Sequence, residues 1–286
     1  MSATLDPRTE VGLVGLTVRD LAGARDFYER VVGLTTLEAG GRRTLLGAGG
    51  RPLVELVEDG DAPSRPARST GLFHLAILVP DRAELARSLR RLIERRWPLQ
   101  GAADHLVSEA IYLADPEGNG IEVYRDRPRE EWRRDGDELR MATLPLDLND
   151  VLNERGGDGD SLGPLPASTR MGHVHLNVAD LAASESFYAG LLGFDVTARG
   201  YPGALFLSAG GYHHHIGLNI WRGAGIPAPP EGALGLRAYE LTLPRQSSLD
   251  ETLGRLRNGG VDVRSSDGCA EVRDPSGNLL RLTSPG

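Results

Sequence analysis

Residues 16–34 read LTVRDLAGARDFYERVVGL, and residues 176–194 read LNVADLAASESFYAGLLGF. Each is a short apolar strand running into a helix. Asp20 and Asp180 stand where an N-cap belongs, and Gly33 and Gly193 where a left-handed C′ residue belongs. Leu21, Ala24, Phe27, Tyr28, Val31 and Val32 fall at the i, i+3, i+4 spacing of a buried stripe, and the second copy matches through Leu192. The chain is therefore built on an internal repeat.

A second repeat lies inside each half. Residues 112–124 read YLADPEGNGIEVY and residues 271–283 read EVRDPSGNLLRLT, each with an Asp-Pro-x-Gly-Asn turn between two strands. Upstream, LFHLAILVP (72–80) parallels LRAYELTLP (236–244), and helices follow at Arg82–Arg96 and Leu249–Arg257. This gives four βαβββ modules, near 11–57, 71–125, 171–222 and 234–284. The halves they form are residues 1–133 and 170–286. Residues 134–169 are a linker with one short amphipathic stretch (144–154) and a Gly-Asp-Pro run (156–166) expected to be loop. A βαβββ unit leaves one face of a small sheet unpaired, so modules must pair. The fold class expected is α+β, with four modules pairing into two cup-shaped mixed β-sheets whose concave faces are the natural pockets.

Composition narrows the function classes. The chain has 286 residues, 40% apolar and 25% charged, in the range of a globular protein large enough for two cores. Its net charge of −8 argues against a nucleic-acid or anionic-membrane surface, either of which wants a basic stripe. The start, MSATLDPRTE, has no apolar signal region, and no stretch reaches the length of a membrane span. Cys269 is alone, which excludes an intramolecular disulfide and a Cys-rich metal site. A cytoplasmic enzyme is the expectation.

The seven histidines fall only in modules 2 and 3: His74, His105, His173, His175, His213, His214 and His215. Aligning the modules sharpens this. His74 has Ala238 as its module 4 equivalent, His173 has Leu13 in module 1, and Glu122 has Arg281 in module 4. Two imidazoles and one carboxylate survive where their copies are lost. On one face, with open positions left over, they make the triad of non-haem Fe(II) oxygenases; Mn(II) fits the same donors. Parity puts His213 and His215 on one face and His214 on the other, without saying which face lines the pocket.

Four motifs carry a family resemblance: GLFHLAILVPD (71–81), DHLVSEAIYLADPEGNGIEVY (104–124), MGHVHLNVADL (171–181) and YHHHIGLNIW (212–221). They resemble the vicinal oxygen chelate superfamily of glyoxalases, bleomycin-resistance proteins and extradiol dioxygenases, and within it the two-domain catechol 2,3-dioxygenases. The resemblance covers nearly the whole chain. It implies an Fe(II) site of His74, Glu122 and His173, a small aromatic diol and O2 as substrates, and a place in aromatic hydrocarbon catabolism. It gives His215 the place of the proton-shuttling histidine beside dioxygen, Tyr112 that of a tyrosine bonded to the substrate oxygen, and His105 that of a further polar contact. Packing stands beside function for Tyr112, His175 is balanced between the two, and His213 and His214 read better as ordinary core or solvent histidines.

The chain departs from the family in one respect. Many of these enzymes hold the metal between modules 3 and 4, and here module 4 offers Ala238 and Arg281. Modules 2 and 3 must then pair across the halves, leaving 1 with 4; pairing within one chain or between chains of a homo-oligomer stays open. A rival reading is a glyoxalase- or isomerase-like enzyme using Glu55, His74 and Glu122. Another is a non-catalytic resistance protein, which needs an apolar cup and no triad.

Overall fold

A computed structural model describes residues 4–154, 162–266 and 268–285. The first six residues of the Gly-Asp-Pro run, 156–161, lie outside the described residues. Module 1 supplies β1 (Glu10–Val18), α1 (Leu21–Phe27), β2 (Thr35–Gly40), β3 (Arg43–Ala48) and β4 (Arg51–Glu58). Module 2 supplies β5 (Gly71–Leu78), α2 (Arg82–Arg95), β6 (Gly101–Asp104), β7 (Ser108–Ala114) and β8 (Gly120–Asp126). The connection holds a small hairpin, β9 (Arg134–Asp135) and β10 (Glu138–Leu139), and α3 (Leu148–Leu152). Module 3 is β11 (Arg170–Asn177), α4 (Leu181–Glu185), β12 (Asp195–Ala198), β13 (Ala204–Ser208) and β14 (Ile216–Asn219). Module 4 is β15 (Gly235–Thr242), α5 (Gln246–Asn258), β16 (Arg264–Ser266), β17 (Cys269–Arg273) and β18 (Leu279–Thr283).

Local chemistry sets the element ends. The Asp20 and Asp180 carboxylates accept from the Gly23 and Ala183 amides at 3.0 and 2.9 Å, capping α1 and α4. Both helices then widen into a π-helical segment, Tyr28–Val32 and Ser186–Leu192, where the Gly33 and Gly193 amides reach back to the Tyr28 and Tyr188 carbonyls. Gly33 and Gly193 have φ of 95° and 96°, a region in which a side chain is strained. In each Asp-Pro-x-Gly-Asn turn one aspartate accepts two backbone amides and the asparagine side chain: Asp115 from Glu117 and Asn119, Asp274 from Ser276 and Asn278.

The strands form two eight-stranded mixed sheets, in the orders β16-β17-β18-β15-β1-β4-β3-β2 and β12-β13-β14-β11-β5-β8-β7-β6. The first sheet joins modules 1 and 4, the second modules 2 and 3, within a single chain. Each seam is an antiparallel pair of first strands, β1 with β15 and β11 with β5. On the helical side contacts run within the halves instead: Tyr28 of module 1 donates to Asp115 of module 2, and Tyr188 of module 3 to Asp274 of module 4. Sheets cross the halves while helix-to-turn bonds close them, and one continuous apolar core links the layers. No helix among the described residues is long and apolar enough to cross a membrane.

Candidate metal centre

Strand β5 lies between β8, parallel to it, and β11, antiparallel. Ala76 faces Glu122 across one border and His173 across the other. His74, two residues before Ala76, shares its face of the pleat. Three long polar side chains thus converge above a methyl group too small to hold them apart. His74 Nε2 is 2.9 Å from Glu122 Oε2, His173 Nε2 is 3.1 Å from the same oxygen, and the two nitrogens are 3.3 Å apart. All three residues are buried.

These donors fit a divalent ion. Ligands on bonds of about 2.1 Å at right angles stand about 3 Å apart, and each edge of the triangle is close to that. Two of them, His173 and Glu122, are in the protonation state that an ion needs. Burial brings the His173 imidazole down to about 4, against the opposing pull of Glu122, so the ring is neutral. Burial alone would raise the Glu122 carboxyl, but His173 and His74 override it and hold it well below the usual carboxylate range. Among the described residues this is the cluster that could hold a metal ion.

The triad lines a cavity of about 370 Å³. Phe73 and Trp221, both partly exposed aromatics, pack edge to face beside it, and Tyr201 and Phe206 form another wall. Tyr112 and His105 enter from β7 and the turn before it. The His105 ring uses Nδ1 on the Ala142 carbonyl at 2.7 Å, which makes that nitrogen the donor and leaves Nε2 to accept from the Tyr112 hydroxyl at 2.6 Å. Burial, then the nearby Glu122 charge, pushes the Tyr112 phenol well above its ordinary value, so it stays protonated.

The three consecutive histidines divide differently from the expectation. His214 lines the triad cavity, its ring centroid 4.1 Å from that of His173. His215 does not. It borders a separate cavity of about 350 Å³, stacks on Tyr212, and accepts the Ala209 amide on Nδ1 at 3.1 Å. The place expected for His215 beside the triad is therefore taken by His214. Strand β14 begins only at Ile216, so the histidines belong to the turn before it, where Gly210 and Gly211 both have positive φ. His175 also faces the cavity, opposite His74 in the seam, with Nε2 buried and without a partner.

Sequence reasoning missed the linker's part: Met141 and Thr143 line the cavity and Ala142 holds His105. No local pattern marks those residues. Phe73 and Trp221 lie inside the segments 71–81 and 212–221, and the available signal was that Phe73 directly precedes the ligand candidate His74. Glu55, the carboxylate of the rival glyoxalase-like set, stands in the other sheet, where it accepts from Arg43 at 2.5 Å. It cannot join His74 and Glu122, and that ligand set is excluded.

Two mixed sheets of paired βαβββ modules, one carrying a His-Glu-His cluster in its hollow, define a vicinal oxygen chelate protein. The profile of the Glyoxalase/Bleomycin resistance protein/Dioxygenase superfamily matches residues 10–123 and 170–282, and the chain belongs to that superfamily. It is 45% identical to the catechol-2,3-dioxygenase of Bacillus subtilis (strain 168), over 93% of this chain and 94% of that one. It is 27% identical to the biphenyl-2,3-diol 1,2-dioxygenase 3 of Rhodococcus globerulus, over 64% and 78% of the two chains. Glyoxalase I from Zea mays shares the fold at a TM-score of 0.60 and 15% identity, covering 96% of this chain and 92% of the other.

Proposed function

We propose that the protein cleaves the ring of a catechol-type diol beside its two hydroxyl groups, using O2 and a divalent iron held by His74, Glu122 and His173. The observation that carries this reading is the triangle of two imidazoles and one carboxylate on the floor of an aromatic-walled cavity. The likeness to two ring-cleaving dioxygenases supports the same chemistry. Iron in that place would supply Lewis-acid charge for the vicinal oxygens and the electron route to O2.

The remaining work falls to the chain. Phe73, Trp221 and Phe206 stack against an aromatic ring and keep water from it. Tyr112, whose proton is committed to His105, offers its oxygen to a substrate hydroxyl. His214 is the acid-base group, taking a proton as the diol binds and returning it as the ring opens; proton transfer of this kind is worth about 10²–10⁴-fold. The same scaffold hosts several chemistries, so the site and not the fold bears the proposal.

The test is metal analysis of protein purified without oxygen, then addition of catechol with oxygen uptake and the yellow ring-opened product followed together. Stoichiometric iron and one O2 consumed per catechol are expected. Iron-loaded protein that neither consumes oxygen nor alters catechol would overturn the reading.

A further inference from the structure

We propose that Asp126 and His213 are a positioning pair that fixes the tautomer of His214, so that His214 presents its Nε2 to the cavity as a hydrogen-bond acceptor. The bonds run in one line. The Tyr212 hydroxyl and His213 Nε2 both meet Asp126 Oδ1, at 3.1 and 2.9 Å. His213 Nδ1 lies 2.8 Å from His214 Nδ1. Tyr124 joins through a 2.7 Å bond to the Tyr212 hydroxyl.

Proton counting along this line leaves one arrangement for neutral rings. A carboxylate only accepts, so Tyr212 and His213 must both donate to Asp126, and Tyr124 donates to Tyr212. His213 then carries its hydrogen on Nε2 and has a bare Nδ1. Two facing nitrogens 2.8 Å apart need one hydrogen between them, so His214 donates from Nδ1. Its Nε2 is left with a lone pair. Among the described residues no hydrogen bond reaches that atom, and the ring lines the triad cavity. The second nitrogen of a histidine is set by what the first one bonds, and here the setting passes through two rings from one aspartate.

The consequence for the reaction rests on the proposed ring cleavage. A hydroxyl of the bound diol donates to His214 Nε2, while the other side of the cavity offers the Tyr112 oxygen. His213 is fully buried and does not line the cavity, so it acts on substrate only through His214.

The test separates the two ideas by reading the tautomers without turnover. Metal-free protein labelled with 15N in its histidines is measured by NMR at mildly alkaline pH, where long-range couplings report which ring nitrogen carries hydrogen. The expectation is Nε2–H for His213 and Nδ1–H for His214. Asp126→Leu and His213→Phe should scramble His214, whereas His213→Asn, which keeps an acceptor oxygen, should preserve it. In iron-loaded protein the scrambling variants should lose about 10- to 100-fold in kcat with KM for catechol unchanged, and His213→Asn should restore most of it. His214 found as Nε2–H in the unaltered protein, or His213 as an imidazolium donating to it, overturns the proposal whether or not catechol is cleaved. So does a His214 tautomer that no variant disturbs. Absent turnover with the expected tautomers would instead count against the ring-cleavage reading alone.

Discussion

Replacing Glu122 by Gln removes the only anion from the triad while keeping its size and one acceptor oxygen. Glu122 is one of three donors and lies 2.9 and 3.1 Å from the other two, so the change acts on the ion's first contacts. Losing even an outer hydrogen-bond partner of a metal ligand costs about 10- to 100-fold in affinity, and losing the charged ligand should cost at least about 100-fold. Metal at about a thousandfold over Kd stabilises the fold by about 4.1 kcal/mol, and at about tenfold by about 1.4 kcal/mol. At one metal concentration the variant should therefore forfeit about 2.7 kcal/mol of metal-induced stability. For a chain of this length that is about 5 °C in Tm. Without metal the balance differs, because the variant loses charge-assisted bonds from two imidazoles but also sheds a buried charge. The metal-free proteins should match within about 1–2 kcal/mol. The assay is thermal unfolding with and without Fe(II) or Mn(II), both proteins side by side under exclusion of oxygen. Equal metal-induced shifts in the two proteins would refute the ligand set.

Exchanging the roles of two neighbouring histidines is directly testable. His214→Phe should keep its metal and lose about 10²–10⁴-fold in turnover, while His215→Asn, which keeps the acceptor for the Ala209 amide, should retain both; the opposite outcome would restore His215 to the site. Ala76→Leu drives a branched side chain between Glu122 and His173 and should abolish metal binding while costing about 1–3 kcal/mol of stability, read by metal content and denaturant midpoint; full occupancy would mean that the triad does not close over Ala76. Acid should destabilise the metal-free protein. His173 and His215 are held near 4 and 3, below an unfolded value near 6.5, so the unfolded chain binds more protons and stability rises with pH. Their contribution is fully present above about 6.5 and lost toward their folded values, on the order of 3 kcal/mol for His173 and about 5 kcal/mol for His215; a midpoint flat from about pH 7 to about pH 5 would contradict the buried neutral rings. Separately expressed halves, 1–133 and 168–286, should each fail to bind stoichiometric metal, because His74 and Glu122 lie in one and His173 in the other. An N-terminal half with full affinity would sink the cross-half site.

What was legible in the sequence was what local chemistry encodes. The caps at Asp20 and Asp180 and the left-handed glycines after them need only neighbouring residues, and both appear as read. The pairing of modules 2 with 3 was legible for a different reason: Ala238 and Arg281 rule out a site between modules 3 and 4, and a pairing of 2 with 3 is what gathers His74, Glu122 and His173. The division of the three histidines was not legible. Alternation is a property of extended backbone, and residues 209–215 turn on two positive-φ glycines before the strand starts. Nor could the approach of the linker be seen, since Met141 and Thr143 reach the cavity through chain reversal and carry no signature of their own.

The two sheets show how few positions decide whether this scaffold holds an ion. At the first-sheet counterpart of the triad the seam pairs Gly15 with Ala238, as His175 pairs with His74 in the second. Where Ala76 leaves room, the first sheet has Glu240 opposite Arg281. Glu240 accepts from Thr283 at 2.8 Å and from Thr242 at 3.2 Å, and Arg281 turns to Glu271 at 2.9 Å. That hollow satisfies its own charges, so no donor set is left converging. In the second sheet the small Ala76 brings Glu122 and two histidines together with no cation among the described side chains around them. A carboxylate buried there loses its hydration, and the two imidazoles offset that loss enough to hold it ionised. That converging charge is what a divalent ion takes up, so the polarity of these equivalent positions, and not the shape of the cup, separates the two sheets.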